Sequence, residues 1–193
     1  MIPILILAAG ASSRMLGRDK LLEQVDGMPL IRQRAQAALC ASPCVYITLP
    51  SLDHPRAAAL QGLTVTLIPV PDAPSGMAAS LRRGVEALPN CNHFMVLLAD
   101  LPVITAQDLT LMIQSIAPEY RIWRGTSASG TPGHPIIFDA SLRPLFAALT
   151  GDRGAQPILA RHTIKLVALP GDHATRDLDT PEDWANWRVE TGR

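Results

Sequence analysis

Most of what excludes a function in this chain is missing rather than present. No run of apolar residues approaches the roughly twenty that a membrane-crossing helix requires. No basic block marks a nucleic-acid-binding face, and the formal net charge is zero. Three cysteines, Cys40, Cys44 and Cys91, form an odd set with no matching His/Cys pair for zinc, and read as small core residues of a reduced protein. There is no Gly-Lys-Ser/Thr of a P-loop, and Gly10 has no partner at the spacing of a dinucleotide fingerprint. No flavin signature and no Ser/His/Asp arrangement stands out. The apolar N-terminal stretch lacks a preceding basic region and a cleavage site, so it reads as a strand and not a signal peptide. A cytoplasmic protein that binds neither nucleic acid nor membrane is expected.

What is present is a globular composition, 48% apolar and 18% charged over 193 residues, which suits one domain with a sizeable core. Six short apolar runs read as strands: Ile2 to Ala8, Val45 to Leu49, Leu63 to Val70, His93 to Leu98, His134 to Phe138 and Ile164 to Leu169. Between them lie helical periods, starting at Leu30, at Met77 (with Leu81, Val85 and Leu88) and around Leu109, where Thr105 offers a cap. A weak helix is expected over Leu52 to Leu60, and others over Leu142 to Leu149 and Ala155 to Ala160. Thr180 and Pro181 open a last one. Strands alternating with helices predict parallel βαβ units, with ligands at the carboxyl ends of the strands.

The first twenty residues organise the chain. The buried strand breaks into Ala8-Ala9-Gly10-Ala11-Ser12-Ser13, where backbone can approach a ligand and offer its amides. Two long cations, Arg14 and Lys20, follow, and that order suits a polyphosphate. From Ala9 to Leu30 no period is visible, and a structureless loop that long is expected to be functional. Asp100 ends the strongest internal strand and faces the mouth of the sheet, as a ligand for a hard cation or as a turn or capping aspartate. Ser75-Gly76-Met77 opens a helix whose first amides and dipole suit an anion or a polar nucleotide edge, or which is simply a capped helix. Arg82 and Arg83 read as a solvated helix face, with contact of one of them to the ligand as the alternative. The stretch Gly125 to Gly133 reads as a mobile loop before His134, itself either a placed turn residue or a substrate contact.

Leu7-Ala8-Ala9-Gly10, then Ser13-Arg14-Met15, Gly17 and Lys20-Leu21-Leu22 resemble the signature of the MobA-like nucleotidyltransferases. Within these the chain is most similar to the molybdenum cofactor cytidylyltransferases. Gly76-Met77, Ser80-Leu81, Asp100-Leu101-Pro102, Gly133-His134-Pro135 and Asp177 to Asp183 match further family segments in order. One departure is Leu16, which stands between Met15 and Gly17 where the family commonly runs Arg-Met-Gly.

The resemblance implies an α/β fold: a three-layer, doubly wound, mostly parallel sheet, Rossmann-like and of the nucleotide-diphospho-sugar transferase type. It implies nucleotide contacts from Leu7, Ala8, Ala9, Gly10, Arg14, Lys20, Gly76 and Ser80. Arg14, Lys20 and Asp100 would act in catalysis, Asp100 with Asp179 would hold Mg²⁺, and Gly133 with His134 would meet the second substrate. Asp179 could equally cap the last helix. Ala9, where GTP users carry glycine, favours CTP, with molybdopterin as acceptor and a recipient molybdoenzyme or its chaperone as possible partner. Rival readings are GTP as donor, a sugar phosphate or methylerythritol phosphate as acceptor, and a non-catalytic nucleotide-binding accessory protein.

Overall fold

The structure is a computed structural model that describes every residue from Met1 to Arg193. Its strands are β1 (Ile4–Leu7), β2 (Gln24–Val25), β3 (Met28–Pro29), β4 (Val45–Leu49), β5 (Thr66–Pro69), β6 (His93–Leu98), β7 (Ile122–Thr126), β8 (Pro132–Asp139) and β9 (Ile164–Ala168). Its helices are α1 (Leu30–Ala41), α2 (Pro55–Ala59), α3 (Met77–Ala87), α4 (Ala106–Gln114), α5 (Arg143–Phe146), α6 (Gln156–Leu159) and α7 (Pro181–Thr191).

Seven strands form one sheet in the order β5-β4-β1-β6-β8-β7-β9. Only β8 runs against its neighbours β6 and β7. The alternation of β1 explains its unbroken apolar run. Ile4 and Ile6 join one core, and Leu5 and Leu7 join the other on the opposite face. β6 divides in the same way, with Met95 and Leu97 on one side and Phe94 and Val96 on the other. A strand covered on both faces has no polar side to show in its sequence. Residues of α1, α4 and α7 cover the first face, including Leu30, Leu109, Trp184 and Trp187. Leu81, Val85, Phe146 and Ile158 of α3, α5 and α6 cover the second. The result is a three-layer, doubly wound, mostly parallel α/β sheet.

Several boundaries differ from the sequence reading, each for a local reason. The stretch from Ala9 to Leu30 is not structureless. It holds a 3-10 turn at Ser13–Met15 and the two-stranded β2–β3 hairpin. Asp26 and Gly27, both at positive φ (51° and 78°), form the hairpin's two-residue turn, as Asp-Gly favours. β5 begins at Thr66 and ends at Pro69, a proline tolerated because β5 is an edge strand. The expected helix from Leu142 is a 3-10 turn followed by four residues of α5, Arg143–Phe146. The mobile loop expected from Gly125 shrinks, because Gly125 and Thr126 belong to β7 and Pro132 already belongs to β8. The cysteines are free but are not core residues: Cys40 is exposed, and Cys44 and Cys91 are half-buried. No helix is long and apolar enough to cross a membrane.

Candidate active site

A cleft of about 530 Å³ opens at the carboxyl ends of β1 and β6. That is where an open α/β sheet whose chain winds both ways from a central strand leaves room for a ligand. Leu7, Ala8, Ala9, Gly10, Arg14, Lys20, Gly76, Ser80, Asp100 and Asp179 all line it, drawn together from four stretches of the chain.

Its centre is a charge cluster. Lys20 Nζ donates to Asp100 Oδ2 at 2.5 Å and to Asp179 Oδ1 at 2.6 Å. Arg14 Nη2 lies 2.7 Å from the other oxygen of Asp179. The sequence assigned both cations to phosphates, whereas in this structure they neutralise the two carboxylates. Burial works against the charge on Lys20, and the adjacent Asp100 and Asp179 outweigh it, so its pKa is raised. Asp177 lines the same cleft, and burial, then the neighbouring Asp179 and Asp100, push its pKa up.

One competing role for these carboxylates, helix capping, is filled by other residues. α4 is capped by a reciprocal box between Thr105 and Asp108, and α7 by one between Thr180 and Asp183. Neither Asp100 nor Asp179 is spent on a helix end. Asp100 Oδ1 is buried with no hydrogen-bond partner. A buried carboxylate oxygen without a donor is costly unless something else meets it. No group of three or more His, Cys, Asp or Glu side chains converges as a closed metal cage. Two carboxylates with a free oxygen are the donor set that Mg²⁺ accepts when substrate phosphates complete its shell.

At the start of α3 the anion reading is corrected. Met77 N–H donates to Asp152 Oδ1 at 3.2 Å and Ala78 N–H to Gly151 O at 3.0 Å. The chain's own loop thus occupies the helix's positive end. Gly76 is glycine because it sits at φ 113° and a Cβ there would lie 2.5 Å from the Gly151 backbone. Ser80, almost fully buried, still borders the cleft from the first turn of α3. Arg83 lies on an exposed helix face as expected, while Arg82 is half-buried, and both are paired. Arg82 donates to Leu149 O at 2.6 Å, and Arg83 to Asp72 at 2.5 Å.

Gly133 and His134 lie outside this cleft. Gly133 is buried and lines neither it nor its neighbour, and a Cβ there would fall 1.8 Å from Ala174 O. Its identity is dictated by packing. His134 borders an adjacent cavity of about 310 Å³ with Arg124, Gln156 and Val96, and this cavity shares Leu7, Met77 and Asp152 with the cleft. His134 Nδ1 is enclosed without a partner, and burial pulls the ring's pKa down to about 4. Leu16 stands clear of the cleft: it is 84% exposed, and Leu16 and Gly17 both turn through positive φ. The extra residue loops into solvent while Arg14 and Lys20 still reach Asp179.

Comparison with known proteins accords with this geometry. Residues 4–166 match the MobA-like NTP transferase domain. The chain belongs to this family. It is a nucleotidyltransferase by that membership, and its sheet is of the nucleotide-diphospho-sugar transferase type. Among curated relatives, it is 28% identical over 92% of its length to a protein of Paenarthrobacter nicotinovorans named nicotine blue oxidoreductase, covering 91% of that protein. It is 25% identical to a probable molybdenum cofactor guanylyltransferase of Synechococcus elongatus, covering 93% of this chain and 94% of the relative. Among solved structures, Rv0371c from Mycobacterium tuberculosis H37Rv superposes with a TM-score of 0.84 at 25% identity, covering 96% of each chain. A complex of Rv0371c with manganese shares the fold at a TM-score of 0.78 and 24% identity, covering 98% of each chain.

Two residues escaped the sequence reading altogether: Asp152, which lines the cleft, and Arg56, which lies behind its loop. Arg56, on α2, holds the Ala8–Gly10 loop from behind. Nothing in the sequence near Arg56 distinguishes it from a surface arginine on a weak helix.

Proposed function

We propose that this nucleotidyltransferase moves CMP from CTP to the phosphate of molybdopterin, with Mg²⁺, releasing pyrophosphate. The observation that carries the reading is the Lys20–Asp100–Asp179–Arg14 cluster at the carboxyl ends of β1 and β6. A phosphate monoester oxygen is already an adequate nucleophile near neutral pH, so the site needs no general base. Attack on the α-phosphorus forms one P–O bond and breaks the bond to the β-phosphate. The protein's task is positioning and charge neutralisation. Asp100 and Asp179 would hold the cation, which when bound supplies charge neutralisation at phosphate oxygens. Arg14, largely exposed, and Lys20 would turn from the carboxylates to the phosphates of the donor and to the leaving pyrophosphate. The acceptor would enter from the cavity beside His134, which adjoins the cleft at Leu7, Met77 and Asp152.

Ala9 supports CTP. Its side chain is buried with Val70 and Ala79, so the methyl that a GTP-type glycine lacks takes up room beside the cleft. The names of the guanylyltransferase relatives favour GTP instead. Pyrophosphate release with Mg²⁺ and molybdopterin, with CTP, GTP, ATP and UTP in parallel, decides between them. CTP-selective release is expected. Equal or greater release with GTP would overturn the base assignment, and binding without release would favour another acceptor or an accessory role. The relative named nicotine blue oxidoreductase favours a second reading, redox chemistry on the same fold. Turnover of nicotine blue in the absence of any nucleoside triphosphate would support it.

A further inference from the structure

The guanidinium of Arg56 is 2% exposed and uses all five of its N–H groups. Nη1 donates to Ala8 O at 2.6 Å and to Gly10 O at 2.8 Å. Nε and Nη2 form a two-pronged pair with Asp19, each bond 2.7 Å, and Nη2 also reaches Ser12 Oγ at 3.1 Å. Asp19 in turn accepts from Leu21 N–H at 3.0 Å, and burial of its carboxyl is outweighed by Arg56, which keeps its pKa low. One buried side chain therefore ties together the start, the middle and the end of the loop that carries Arg14 and Lys20.

The geometry has a directional consequence. Arg56 lines a hollow with Asp19, His54 and Pro71 and does not line the nucleotide cleft, so it lies on the far side of the loop. In a planar trans peptide the C=O and the following N–H point opposite ways. Drawing the Ala8 and Gly10 carbonyls toward Arg56 turns the amides of Ala9 and Ala11 away from it, toward the cleft. Neither amide makes a hydrogen bond within the chain, and the Gly10 amide makes none either. Successive unpaired backbone N–H groups facing one space are a concave anion site.

We propose that Arg56 is a positioning residue for nucleotide binding: it pre-sets the Ala8–Ala11 backbone so that its amides face the donor's phosphates. The inference rests on the transferase reading above. Lysine in its place keeps the charge but has three donors on one atom and no planar fork, so it can serve some partners and not all. Arg56→Lys is expected to weaken Mg·CTP binding, measured by calorimetry, about tenfold, or ~1.4 kcal/mol. The KM for the acceptor is expected to stay unchanged, and amide hydrogen exchange over residues 9–13 to quicken. A purely structural role would lower the melting temperature without this split at assay temperature. Mg·CTP affinity within twofold of wild type would overturn the proposal. If Arg56→Lys does not fold, Asp19→Asn, which keeps the shape and removes one charge of the pair, carries the same test with a smaller loss expected. Wild-type protein that binds no nucleoside triphosphate would instead overturn the transferase reading, and this inference with it.

Discussion

At the scale of single residues the centre of the cleft is a paired cluster of four charges, Arg14, Lys20, Asp100 and Asp179, and removing one member exposes the others. Lys20→Ala or Asp100→Ala is expected to lower turnover by roughly two to three orders of magnitude, the range for loss of one preorganised electrostatic group. The fold should persist in both, because neither residue belongs to a hydrophobic core. Near-normal turnover in a folded variant would remove the role from that residue. His134 carries a different prediction. Its folded pKa of about 4 lies below the ordinary 6.5. As pH falls, the unfolded chain therefore takes up the proton before the native one does. The contribution to stability is full above pH 6.5 and is lost as pH drops through about 4. In His134→Gln the denaturation midpoint should fall less steeply across that interval than in wild type. An unchanged slope would mean that the ring is not the group responsible.

At the scale of elements, two glycines show how strand and helix are held at their distances. Gly133 brings β8 against the backbone at Ala174, where a Cβ would lie 1.8 Å from a carbonyl oxygen that cannot step aside. Gly84 brings α3 against β1, where a Cβ would meet the Leu5 side chain, its two methyl groups at 2.6 and 2.7 Å and its Cγ at 3.2 Å. Gly133→Ala is expected to cost about 3 kcal/mol or more, at the upper end of overpacking. Gly84→Ala should cost about 1 kcal/mol or less, because a helix gains roughly 1 kcal/mol from the same change. Chemical denaturation of the two variants checks the ranking, and equal losses would refute it. Element boundaries were legible where a cap or turn residue carried the signal. Thr105 and Thr180 cap α4 and α7, as their side-chain chemistry requires. The Asp26-Gly27 turn carries an equally local signal, although the stretch around it shows no period. α5 is shorter than its apolar spacing predicts, because that spacing does not say where a helix stops.

At the scale of the whole molecule, the sheet gathers one face of chemistry from residues as distant as Arg14 and Asp179. Because Lys20 and Arg14 already compensate the two carboxylates, the fold should not depend on a metal. A chelator is expected to stop transfer and to move the melting temperature by less than about 2 °C, under roughly 1 kcal/mol for a chain of this size. Unfolding on chelation would show instead that the cation is structural. The same gathering explains why the four cleft charges could be named individually from the sequence while their pairing could not. Lys20 and Asp100 are 80 positions apart, and Lys20 and Asp179 are 159 apart.

The order of elements, the two-sided burial of β1 and β6, and the small-residue loop were determined by the sequence itself. Short apolar runs rich in β-branched residues and bounded by turn residues favour covered strands, and small residues let backbone approach a ligand. The cleft residues could be named individually because charge and position at a strand end are local properties. Tertiary structure alone decided the rest. It turned the cations onto Asp100 and Asp179, filled the start of α3 with Asp152, made Gly133 a packing residue and set Arg56 behind the loop. Each of these depends on which distant segment arrives alongside, and contacts through space leave no spacing in the chain to read.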